Sequence, residues 1–84
     1  MAFYLATIVE YSERGGISRG RVYCETIAAE NEFDAWEAAR TICQDRIEEI
    51  VQKEDPDKVM VNPTNIGNVL DYFPQNQQHS PPSA

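Results

Sequence analysis

Four carboxylates, Asp34, Glu37, Asp45 and Glu48, are separated by three, eight and three residues. In a helix that spacing places them on one side, over roughly 20 Å at about 1.5 Å rise per residue. A row of carboxylates imitates the phosphates of a nucleic acid and suits a basic groove on a partner. The other use of such a face is solubility. A second set is cationic: Arg14, Arg19 and Arg21, interleaved with Gly15, Gly16 and Gly20. Guanidiniums on a glycine-rich backbone can grip phosphate or carboxylate. The segment has neither the phosphate-loop pattern nor the dinucleotide fingerprint. It reads as a hairpin tip made soluble by arginine, or as a salt-bridging contact to a partner.

Little else in the chain offers chemistry. The single histidine, His79, lies in the C-terminal segment, so Cys24 and Cys43 have no evident ordered base to generate a thiolate. The 18 residues between these cysteines match no zinc spacing, and both read as buried free thiols. The acids near Glu54, Asp55 and Asp57 do not fit the twelve-residue calcium loop. Carboxylates on a convex helix face lack the pocket that acid–base catalysis needs. The expectation is therefore a protein without catalytic residues, metal site or cofactor.

Charge distribution sharpens this reading. The chain has 84 residues and a net charge of −7. Residues 1–29 and 58–84 each sum to zero, so residues 30–57, with ten acids against three bases, hold the whole excess. So acidic a surface disfavours direct binding to nucleic acid or anionic lipid, and favours a basic partner. No apolar run reaches the roughly 20 residues of a membrane span. The start of the chain lacks the basic region of a signal peptide, which points to the cytoplasm.

These side chains need elements to position them. Residues 3–11 are rich in β-branched and aromatic types and read as a strand. Phe3, Leu5, Thr7, Val9 and Tyr11 form one face and Tyr4, Ala6, Ile8 and Glu10 the other. Both are largely apolar near the start, which suits a central position. Residues 12–20 read as a glycine-rich hairpin loop. In the second strand, residues 21–28, the less polar face is Val22, Cys24, Thr26 and Ala28. Residues 32–53 carry an amphipathic helix, capped by Asn31, with Trp36, Ala39, Cys43, Ile47 and Ile50 as its apolar stripe and Ala35, Ile42 and Val51 beside it. Asp55-Pro56-Asp57 stops it. Residues 58–62 read as a short strand, 63–65 as a turn and 66–73 as a final extended segment. The fold expected is α+β, in the order β-β-α-β-β, an antiparallel sheet with one helix across it. Residues 1–73 form the domain, and 74–84, without a sizeable apolar residue, read as a disordered tail.

A β-hairpin followed by an acidic amphipathic helix, in a chain of this size, resembles the small phage-borne anti-defence proteins, above all the anti-CRISPR inhibitors. The resemblance rests on size, acidity and element order, not on a motif. It implies non-catalytic binding to a nucleic-acid-handling complex in the host cytoplasm, on the basic surface that receives nucleic acid. The partner-binding candidates come from the charge pattern alone: Asp34, Glu37, Asp45 and Glu48, with Arg14, Arg19 and Arg21 as a second set. The alternative is a small structural or accessory domain whose acidity serves solubility. A core this small leaves homodimerisation, for instance through a sheet edge, as a further way to bury surface.

Overall fold

The computed structural model describes residues 1–72. They form β1 (Ala2–Arg14), β2 (Ile17–Ala29), α1 (Glu32–Glu54), β3 (Lys58–Asn68) and a single turn α2 (Val69–Tyr72). The sheet is antiparallel in the order β2-β1-β3, so the first strand is central, as its two apolar faces suggest. The α+β class stands, but with three strands rather than four. Phe73 and the expected disordered tail 74–84 lie outside the described residues.

Two segments differ from the sequence reading. The loop expected over 12–20 shrinks to Gly15-Gly16, with the ladder continuing to Arg14 opposite Ile17. Both glycines have positive φ, 60° and 81°. That is the requirement of a two-residue turn whose twist matches the strands. Polar residues and Gly20 made the strand ends look like loop. The second difference lies in β3, where the turn expected at 63–65 is a bulge. Thr7 pairs with Asn65 and Ile8 with Pro63, leaving Thr64 as the extra residue. The Thr64 hydroxyl lies 3.3 Å from the Thr7 carbonyl and donates to it. A proline is tolerated here because β3 is an edge strand. The final extended segment then ends at Asn68, whose side chain accepts the Leu70 N–H at 2.9 Å and starts α2. Gly67 leaves room for the Tyr72 ring, since a Cβ there would lie 2.7 Å from the Tyr72 hydroxyl.

Helix α1 begins as its sequence suggests. Asn31 is extended, and its Oδ1 accepts the Asp34 N–H at 2.9 Å. The helix closes on Asp55, whose left-handed φ of 47° lets its N–H reach the Val51 carbonyl. The hairpin tip is clasped to this end. Arg14 Nη1 donates to the Glu54 carbonyl at 2.9 Å, Gly15 N–H to the Asp57 carboxylate at 2.9 Å, and Asp57 N–H to the Glu13 carbonyl at 2.8 Å.

The helix covers the Tyr4, Ala6, Ile8 and Glu10 face of β1. Tyr4, Ala6, Ile27, Ala29, Ala35, Ala39 and Ile66 make one buried cluster, and Ile8, Cys43, Ile50 and Val61 the other. Fully buried Ala6, Ala35 and Ala39 remove side-chain bulk between helix and sheet and permit close approach. Trp36 and Ile47, expected in the stripe, are only partly buried against these clusters, and Val51 is exposed. On β2 the face that meets the helix carries Ile27, Ala29, Tyr23 and Arg21, not the less polar Val22, Cys24, Thr26 and Ala28. Cys24 is therefore exposed, contrary to expectation, while Cys43 is buried. Phe3, Val22 and Met60 stand exposed on the open face.

Candidate functional site

The four helix carboxylates stand where their spacing predicts. Asp34, Glu37, Asp45 and Glu48 are all exposed, on the side of α1 opposite buried Ala39, Cys43 and Ile50. Glu37 accepts from Arg40 Nη1 at 2.8 Å, with both side chains more than half exposed. An ion pair in that setting contributes little, of order 0–1 kcal/mol. Among the described residues, Asp34, Asp45 and Glu48 have no cation within ion-pair distance.

Arg46 and Arg21 are held elsewhere, by a carboxylate the sequence reading passed over. Glu10 continues the inward register of Tyr4, Ala6 and Ile8 and is buried. Arg46 donates to it from α1 (Nε to Oε2 at 2.6 Å, Nη2 to Oε1 at 3.3 Å). Arg21 donates from β2, through Nε at 3.0 Å and Nη2 at 3.5 Å. The Tyr23 hydroxyl donates at 2.8 Å, and the Arg21 guanidinium stacks 4.4 Å from the Tyr23 ring centre. Arg46 also reaches Glu49 at 2.9 Å, and Glu49 holds Lys53 at 3.1 Å.

The electrostatics of this cluster follow from burial set against hydrogen bonding. Burial works to raise the Glu10 pKa, but the bonds from Arg46, Arg21 and Tyr23 outweigh it and hold the pKa at about 2. Tyr23 is pushed up to about 12, first by burial and then by its bond to the Glu10 carboxylate. Arg46 is raised by its bonds to Glu10 and Glu49, and burial raises the Cys43 thiol. The cluster thus joins β1, β2 and α1 while its charges stay fixed near neutrality.

Of the three arginines of the second set, two are committed within the fold, while Arg14 and Arg19 line one groove and Arg19 and Arg21 another. Arg14 clasps the end of α1, and Arg21 belongs to the Glu10 cluster. Arg19 is exposed on β2, beside an open groove that Tyr11, Ser18, Arg21, Ile50 and Glu54 also line. Among the described residues no three His, Cys, Asp or Glu side chains gather as a metal site, and no helix is long and apolar enough to cross a membrane. Glu10 left one signal in the sequence, a charge at the inward position of an otherwise apolar register. Its two arginines, 11 and 36 residues away, left none. Compared with known proteins, the chain matches no family, no curated protein and no solved structure.

Proposed function

We propose that this is a non-catalytic binding protein that lays the acidic ridge of α1 on the basic nucleic-acid-binding surface of a partner complex. The reading has the character of a phage-borne inhibitor of CRISPR–Cas complexes, acting in the host cytoplasm. One observation carries it: among the described residues Asp34, Asp45 and Glu48 project from the solvent side of α1 with no cation within ion-pair distance, while Arg46, on the opposite, sheet-facing side of the helix, is held by buried Glu10. A ridge in that state keeps its field outward. Such a field speeds association with a basic surface, and salt screens it beyond about 8 Å at physiological ionic strength.

Binding assays with purified CRISPR–Cas surveillance complexes test the proposal. Affinity should fall with rising salt, mainly through slower association, and target DNA should compete with the protein. The double reversal E37K/D45K should weaken binding tenfold or more. Binding that ignores salt, persists after the double reversal and coexists with bound DNA would leave the acidity with a solubility role only.

A further inference from the structure

The two edges of the sheet are built differently. The β3 edge is guarded by Lys58, by Pro63 and by the bulge at Thr64, three devices that keep edge strands from pairing with other chains. The β2 edge has neither proline nor bulge over its 13 residues, Ile17–Ala29. A two-residue turn closes on a hydrogen-bonded pair, here Arg14 with Ile17, and such pairs alternate along the ladder. The odd-numbered residues of β2 therefore bond to β1. Ser18, Gly20, Val22, Cys24, Thr26 and Ala28 turn their N–H and C=O groups outward. All six are exposed, and among the described residues no backbone or side-chain group bonds to that outer row.

We propose that the outer edge of β2 pairs antiparallel with the same strand of a second copy, centred on Tyr23, giving a continuous six-stranded sheet. Two independent features select this register. It overlays the strand along its whole length, with Ile17 opposite the partner's Ala29. It also sets Arg21 opposite the partner's Glu25, and Glu25 opposite the partner's Arg21. Directly opposed residues share a sheet face, and opposite charges so placed attract. Among the described residues Glu25 makes no ion pair, and Arg21 Nη1 makes no hydrogen bond when its Nε and Nη2 bind Glu10. The parity is also right. Val22 falls opposite the partner's Cys24 as a hydrogen-bonded pair, both with outward groups, while Arg21 and Glu25 fall in the closer non-bonded pairs. No like charges face each other. The two-fold axis runs perpendicular to the sheet, so both helices lie on one side of it. The contact uses no ridge residue, although Asp45 lines one groove with Arg21 and Glu25, and it does not rest on the function proposed above.

Sedimentation equilibrium on the full chain tests the pairing, over about a hundredfold range of concentration up to about 0.5 mM. A reversible species of twice 9.5 kDa is expected. E25R sets like charges opposite each other across the axis and should weaken dimerisation tenfold or more. C24P removes one outward N–H without touching the β1 ladder and should do the same, with folding checked by circular dichroism. V22C places a thiol opposite the partner's Cys24, and mild oxidation should link the two copies. A monomer throughout the range would overturn the proposal. So would a dimer that survives both E25R and C24P, because it would use the open apolar face instead.

Discussion

Glu10 shows how one side chain sets the conditions for the rest. A lone buried carboxylate would be strongly unfavourable, yet this one has three donors from two other elements. Replacing it with glutamine leaves Arg21 without its countercharge and Arg46 with Glu49 alone. E10Q should cost about 3 kcal/mol, the size of a shift from 4.5 to about 2 and in the range for breaking a buried pair. The pH dependence has a definite sign. The folded pKa lies below the unfolded value, so the contribution is complete above about 4.5 and is lost as the pH falls toward 2. Urea titrations from pH 7 to pH 2 should show the wild type losing stability through that window and E10Q losing much less. Identical acid limbs would mean that Glu10 is not the group responsible. Tyr23 acts at the other end of the scale. Its raised pKa keeps the hydroxyl protonated in the fold, and its contribution is lost as the pH rises from about 10 toward 12.

At the scale of elements, what the sequence disclosed depended on the range of the interactions involved. Helix α1 was legible almost to the residue, because Asn31, the first-turn acids and Asp55-Pro56 are local signals. The bulge at Thr64 was not legible. It exists only because Thr7 and Ile8 pair across to Asn65 and Pro63, more than 50 residues away. Nor was the buried face of β2, where the more polar side turns inward. Composition favoured Val22 and Cys24, but Glu10 pairs with Arg21, whose side chain stays more than half exposed on that face. The end of α1 carries a testable strain. Asp55 occupies the left-handed region that glycine adopts freely, and its negative charge sits at the helix C-terminus, where the dipole disfavours it. D55G should raise stability by about 1 kcal/mol, or about 4–8 °C in melting temperature for a domain of this size. A thermal scan reads this directly, and a lower melting temperature would show that the Asp55 side chain has a compensating partner.

On the scale of the whole molecule, the acidic ridge and the open sheet face lie on opposite sides, with Phe33 and Val51 exposed on the helix as well. The ridge of α1 points one way, and Phe3, Val22 and Met60 on the open sheet face point the other. The charge segregation was evident in the sequence, because a 28-residue block carries all of the net charge however the chain folds. The bare β2 edge was not, since it appears only once β1 is known to be central and β3 to be the guarded edge. The ridge and the edge share no residue, and of the ridge only Asp45 lines a groove with Arg21 and Glu25, so their effects should largely separate. E37K/D45K removes two ridge charges but leaves Arg21, Glu25 and the outward groups of β2 in place. It should lose the basic partner and keep the dimer, with a melting shift under about 4 °C, because the surface pair of Glu37 with Arg40 contributes little. E25R should do the reverse: weaken dimerisation tenfold or more and keep binding per chain within about threefold, since affinities at independent sites are additive. Measuring both variants in both assays gives four results. If either variant abolishes both contacts while remaining folded, ridge and edge form one surface, and the partner is bound across the sheet edge rather than along the helix.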